Sequence, residues 1–284
     1  MVNLRLPLQD PLYPKQDHFA IQFCHPGYHK KNVLFSLWAT DQTASGTSSL
    51  YARFALDACA IVAANRHDGW LSTDQNINDA RINKVEAGSM LRDRKYYYHL
   101  NPLPEDEEGE PYKVVPNFEE WEFPHDAMPP HWQAMAVNRT APNSARSRSN
   151  LSDALRSQDK ACRLSRCREK LNASHLVPQT ELAWFERNGM ATYNNNQSIV
   201  NMDDVANAIL LRVDLHLAFD GPKFTFVPKG EGNDAQLVCH LVDTSEELVH
   251  LYHNRALPPS SVSIEMLYAR LAWTIFHFLG AFLQ

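Results

Sequence analysis

The stretch SIEMLYARLAWTIFHFLGAFLQ, residues 263–284, places apolar side chains at Ile264, Leu267, Tyr268, Leu271, Ile275, Phe278, Leu279 and Phe282. This is helical spacing, and over the last dozen residues the apolar positions run round nearly every face. Such a helix has no side to give to water, so the rest of the chain has to be built around it. Its length approaches the roughly 20 residues of a membrane span. Glu265, Arg270 and His277 within it favour a buried core helix or a subunit-interface helix instead, because charges are costly inside a bilayer. No membrane association is expected, and a homo-oligomer formed through this C-terminal helix is a partner the pattern allows.

A chain of 284 residues with 44% apolar content can supply the surround, as one large domain or two smaller ones. Residues 1–100 read as an N-terminal α/β scaffold. NVLFSLWAT (Asn32 to Thr40) has the apolar and aromatic content of a strand. SLYARFALDACAIVAANR sets Leu50, Phe54, Ala58, Ile61 and Ala64 at helical spacing, with Ser48 or Ser49 placed to cap it and Gly69 placed to stop it. KYYYHL (Lys95 to Leu100) reads as another strand. No ligand cluster stands out in this region.

From residue 101 to 155 no periodicity survives, so this stretch is expected to be a linker or an excursion with short elements. Charge is uneven along the chain despite a formal net charge of −6. Pro104 to Ala127 holds nine acids against Lys113 alone, whereas Ser144 to Lys170 holds eight bases and three acids. The asymmetry fits a phosphate-facing patch beside an acidic loop, or two solvated linkers of opposite sign. The five cysteines are odd in number and mostly far apart, which favours a reducing, intracellular setting, nuclear or cytoplasmic. The opening MVNLRLPLQDPLYPKQD has no apolar core long enough for a secretory signal. The triplets NRT at Asn138 and NAS at Asn172 are accordingly taken as chance matches to a glycosylation site.

The texture changes from Cys162 to Lys229, and a second domain is placed over 156–245, followed by a helical segment over 246–284. NASHLVP is a short extended piece carrying His175. TELAWFERNG reads as a helix with Thr180 at its start and Gly189 in the left-handed position after its end. Asp203 is placed to cap a helical turn through MDDVANAILL, and Asp214 to cap a brief helix over VDLHLAFD, with His216 in its first turn. KFTFVPK (Lys223 to Lys229) is a strand pattern, with AQLVCHLV (Ala235 to Val242) as its partner. Trp184 and Phe185 are core candidates. His250 and His253 are three apart on a helix, with no third ligand near them in the sequence.

His175, Asn207 and His216 stand in order, the last two separated by nine residues. With their flanking text, CRLSRC, SHLVP, AWFERNGM, NAILLRVDLHLAFD and KFTFVPK, they resemble the HNH nuclease family, and within it the type of HNH domain found in fungal proteins. The likeness spans about 70 residues, roughly a quarter of the chain. It implies an α+β fold, a ββα-metal domain following the N-terminal α/β region. It also implies a hydrolase, a metal-dependent endonuclease acting on phosphodiester bonds in DNA or RNA. By this resemblance His175 is the general base, for which an imidazole titrating near neutrality is suited. Asn207 holds the base-bearing segment, and His216 binds a divalent metal ion (Mg, Mn, Ni or Zn) that polarises the phosphate. Ser174 stands where many relatives have an acidic or histidine ligand, so Asp214 and Asp220 are the candidate replacement oxygens. A hydroxyl holds a hard cation poorly, which keeps open a second reading, a catalytically degenerate HNH module that binds nucleic acid or protein. Arg212, Lys223 and Arg168 are the candidate phosphate contacts. Paired CxxC knuckles are missing, and Cys162 with Cys167 gives at most two of four ligands, so no structural zinc is expected.

Overall fold

The computed structural model describes residues 13, 16–102, 111–136, 151–258 and 260–279 of the chain. The N-terminal block begins with strands β1 (Ala20–Cys24), β2 (Val33–Trp38), β3 (Asp41–Gln42) and β4 (Ser48–Tyr51), and β4 runs directly into helix α1 (Ala52–Val62). It continues through β5 (Trp70–Ser72), α2 (Ile77–Ile82), β6 (Met90–Leu91) and β7 (Lys95–His99). One sheet has the order β2-β1-β7-β5, with β1 and β7 parallel and the other pairs antiparallel. A second, antiparallel sheet has the order β3-β4-β6.

Two expectations for α1 are corrected here. Ser48 and Ser49 do not cap it; they pair with Gln42 and Asp41 across a turn in which Gly46 takes φ +79°. A strand pairing satisfies those backbone groups, and the helix starts after Tyr51 without a side-chain cap. Nor does it reach Gly69, because Ala64 and Asn65 adopt positive φ just past its end. Gly69 has a packing role instead: a Cβ there would lie 2.3 Å from the Tyr98 ring.

Residues 111–136 are an excursion with short elements, but not a solvated linker. They contain α3 (Pro130–Gln133) and bury Val115, Phe118, Trp121, Phe123, Met128 and Trp132. Trp132 Nε1 and His131 Nε2 donate to the buried carboxylate of Asp57 on α1, each at 2.8 Å. Trp121 stacks on Trp184 at 5.7 Å and donates to Asn65 Oδ1. The excursion thus joins α1 to the region downstream. The acids at 105–108 and 110, and Arg146 and Arg148, lie outside the described residues.

The second half runs α4 (Leu151–Asp159), β8 (Leu171–His175), α5 (Leu182–Arg187), β9 (Ala208–Arg212), α6 (Val213–Asp220), β10 (Phe224–Lys229), β11 (Gln236–Leu241), α7 (Glu246–Tyr252) and α8 (Ile264–Phe276). β8 pairs with β9 and β10 with β11, both antiparallel. Gly189 takes the left-handed conformation after α5 (φ +59°), as its place in the sequence implied. Thr180 is not a cap, since a 3₁₀ turn at Gln179–Glu181 precedes α5, and Glu181 at the N-cap position makes no side-chain capping bond. The cap before β9 is Asp204, not Asp203, and AILLR is a strand rather than a helical turn. Asp214 does not cap α6, which starts one residue earlier.

Every residue of α8 except Glu265 is buried. One apolar core contains side chains from β1 through to α8. The idea of a subunit interface on α8 is therefore corrected: Leu271 and Ile275 are both 0% exposed within the chain's own core. Among the described residues, no helix is long and apolar enough to cross a membrane. Thus the chain folds around its C-terminal helix, as that helix's all-round apolar surface demands.

Candidate active site

The site is built on the β8–β9 hairpin and the helix that follows it. Register runs from Leu171 opposite Arg212 to His175 opposite Ala208, and α6 begins at the next residue, Val213. A strand, a returning strand and a helix without an intervening loop make a ββα unit. His175 closes the first strand, and Asn207 opens the second as the last residue of a 3₁₀ turn (Val205–Asn207).

The His175 ring is 16% exposed, and its Nε2 donates to Asp203 Oδ1 at 3.1 Å. Asp203 is placed by its neighbour. Asp204, buried, accepts from the backbone amides of Asn195, Asn196 and Ala206, which folds the polar loop back on itself and leaves Asp203 facing outward. With Nε2 turned to a carboxylate, Nδ1 is the basic atom of His175. Asn207 is fully buried, and its Oδ1 accepts from Val177 N at 2.9 Å. Its Nδ2 donates to Met202 O at 3.2 Å, and its backbone carbonyl accepts from Leu176 N at 2.8 Å. Asn207 therefore bonds to the two residues that follow His175.

His216 sits between two partners: Asn172 Nδ2 is 3.4 Å from its Nδ1, and Asp220 Oδ2 is 3.2 Å from its Nε2. Asp220 is four residues on, hence on the same face of α6. Asp214 is two residues back, about 200° round the helix. It pairs with Arg212 through two bonds of 2.6 Å, and the Arg212 guanidinium holds its carboxyl below the ordinary value. The proposal of Asp214 as a metal ligand is thereby corrected. Among the described residues, no third His, Cys, Asp or Glu ligand atom joins His216 and Asp220 within 4.8 Å. Ser174 is buried, and its Oγ has no partner among the described residues.

Arg212, Asp214 and Lys223 meet elsewhere, along a cavity of about 320 Å³ on the other side of α6. Lys223 lies 3.8 Å from Asp243. Arg166, Arg168 and Lys170 are exposed in the turn leading into β8, and Arg168 has no ion pair among the described residues. Cys162 and Cys167 close the preceding turn, with Cys162 N donating to Cys167 O at 2.7 Å. Two residues of the site, Asn172 and Asp203, escape a reading of the sequence. Asn172 attracts attention only as a glycosylation triplet, and Asp203 only as a cap. The adjacent acids Asp203 and Asp204 are the one available signal, because a single cap leaves the second carboxylate unexplained.

A different trio, Asp41, His240 and His253, brings its ligand atoms within 4.8 Å. The protein's own cation already fills it. Lys229 Nζ bonds to Asp41 Oδ1, which also accepts from His253 Nε2 at 2.8 Å and Asn254 Nδ2 at 3.0 Å. His253 Nδ1 takes the Leu241 N–H, so its Nε2 must keep its proton. This is a buried ion-pair network tying β3 to β10 and β11, not a metal centre.

The ββα unit with a histidine on its first strand and another on its helix defines the class of domain. Residues 162–227 match the family described as HNH endonuclease, and this segment is an HNH-family domain set within a larger α+β chain. No curated protein and no solved structure matches the chain. An HNH domain suggests nuclease or nucleic-acid-binding function, and such domains generally use a divalent metal.

Proposed function

We propose that this protein is a metal-dependent endonuclease that hydrolyses phosphodiester bonds in DNA or RNA. The observation that carries the reading is the pairing of each motif histidine with a carboxylate on one ββα unit: His175 with Asp203, and His216 with Asp220. His175 takes the proton of the attacking water at Nδ1, while Asp203 fixes the ring and offsets the charge it gains. Asn207 keeps the base-bearing turn in place. His216 Nε2 and Asp220 Oδ2, 3.2 Å apart, have the separation of two ligands bound at roughly 2.0–2.2 Å to a common ion. A nitrogen and oxygen donor pair suits Mn, Ni or Zn better than Mg. A cation held there supplies polarisation of the phosphate and offsets charge on the departing oxygen. Arg168, free of partners among the described residues, is the first candidate to meet a phosphate; Arg212 and Lys223 would first have to loosen from Asp214 and Asp243.

We place the protein inside the cell, with the five free cysteines supporting that setting, and retain the fungal type for its order of motif elements. The alternative, a binding module without cleavage, draws on the buried Ser174 and the absence of a third ligand atom beside His216 and Asp220 among the described residues. Plasmid nicking with Mg²⁺, Mn²⁺, Ni²⁺ or Zn²⁺ separates the two. His175→Ala is expected to lower the nicking rate by about 10²–10⁴ with unchanged circular dichroism. Equal rates for variant and parent remove His175 from the mechanism. Salt-sensitive binding without nicking in any metal favours the binding module.

A further inference from the structure

Arg270 lies on α8, outside the HNH-like segment, and is 0% exposed. Its guanidinium lies 3.6 Å from the centre of the Phe219 ring and 4.2 Å from that of Trp273. Among the described residues no carboxylate comes within ion-pair distance of it, and its Nε has no partner. A buried cation held by rings and carbonyls, with the Asp220 carboxylate acting on it only from beyond ion-pair distance, is costly, so what it binds matters. Nη1 donates to Leu176 O at 3.3 Å, and Nη2 donates to Phe219 O. Leu176 directly follows His175, and Phe219 directly precedes Asp220. The Phe219 carbonyl belongs to the last turn of α6, where carbonyls lack partners within the helix and the dipole favours a cation. The helix that delivers Arg270 is itself anchored beside the motif: Ser263 N, at its cap, donates to Ala206 O at 2.9 Å.

We propose that Arg270 is a positioning residue that sets the separation between the His175 turn and the His216–Asp220 pair by holding one carbonyl from each. This rests on the reading of those residues as base and metal pair. Its consequence is that the HNH-like segment is geometrically complete only with α8 in place.

The test uses the full chain with Arg270→Met, which keeps volume and removes both donated bonds, and Arg270→Lys, which keeps the charge but cannot fork to two carbonyls. Ring ¹⁵N signals of the histidines are recorded without metal, Mn²⁺ affinity is measured by paramagnetic resonance, and nicking kinetics follow. In a folded Arg270→Met, the His175 and His216 signals are expected to move while those of His25 stay in place. Mn²⁺ binding should weaken about 10- to 100-fold, as for other supports of metal ligands, and kcat should fall more than KM rises. Arg270→Lys should show the same changes in smaller degree. A folded variant with parent-like His175 and His216 signals and parent-like Mn²⁺ affinity overturns the proposal. If Arg270→Met does not fold, the same two readouts on Arg270→Lys decide it. If the parent neither binds Mn²⁺ nor nicks, the nuclease reading fails on its own, and the histidine signals still decide the role of Arg270.

Discussion

Asn207 lies within an apolar stretch of sequence and is wholly buried. A buried amide needs partners, and it finds them at Val177 and Met202. Replacing it with alanine leaves the Val177 N–H without an acceptor in the core. Asn207→Ala is therefore expected to lower the unfolding free energy by about 1–3 kcal/mol, measured by urea denaturation; an unchanged midpoint contradicts the bonding described. At this scale the order His175, Asn207, His216 was legible because spacing survives in one dimension. Asn172 and Asp203 were not, since one reaches His216 across a strand–helix contact and the other reaches His175 from a loop folded by Asp204. The ambiguity between Asp214 and Asp220 had a solution already in the numbers. Only the residue four positions from His216 shares its helix face.

Among the elements, the hardest to read was AILLR. A short apolar run does not distinguish a strand from a buried helix, and what decides here is an antiparallel partner far upstream in sequence, Leu171 to His175, the first strand of the pair. KFTFVPK and its partner were plainer, although the structure buries Phe224 through Pro228 without the alternation expected. The C-terminal helix announced its burial but not its neighbours. Because α8 is enclosed by the chain itself, Leu271→Asp and Ile275→Asp are expected to abolish folding rather than split an oligomer. Leu271→Ala should cost about 2–5 kcal/mol without changing elution volume on size-exclusion chromatography. A folded Leu271→Asp protein that merely elutes as a smaller species restores the interface that the fold argues against.

For the molecule as a whole, burial of imidazoles links stability to pH. Desolvation pushes down the pKa values of the His25, His99, His240 and His253 rings, His25 to about 4, and outweighs the carboxylates beside His99 and His253. For His25 the first cause is burial, and its Nδ1 already accepts the Gly27 N–H; the bond from Nε2 to the Tyr112 carbonyl opposes the shift without cancelling it. Near pH 6.5 the unfolded chain takes up protons that the folded chain refuses. The unfolded state thus binds more protons, and stability falls as pH drops from about 6.5 until the folded histidines also protonate. For His25 alone the full loss is about 3 kcal/mol. Asp41, held below its ordinary value beside Lys229, retains its contribution above that value and loses it only as pH falls through the lower folded value. Tm should therefore decline between pH 7 and pH 4, and a flat profile contradicts the burial described. The packing of residues 111–136 against α1 and α5 was the long-range feature least visible in sequence, because acids and prolines mask the spacing of its tryptophans. The most direct test of the whole account is anomalous diffraction from a crystal soaked in Mn²⁺. The account predicts a peak between His216 Nε2 and Asp220, on the same ββα unit as His175. A peak at Asp41 and His253 instead, or none beside His216, contradicts it.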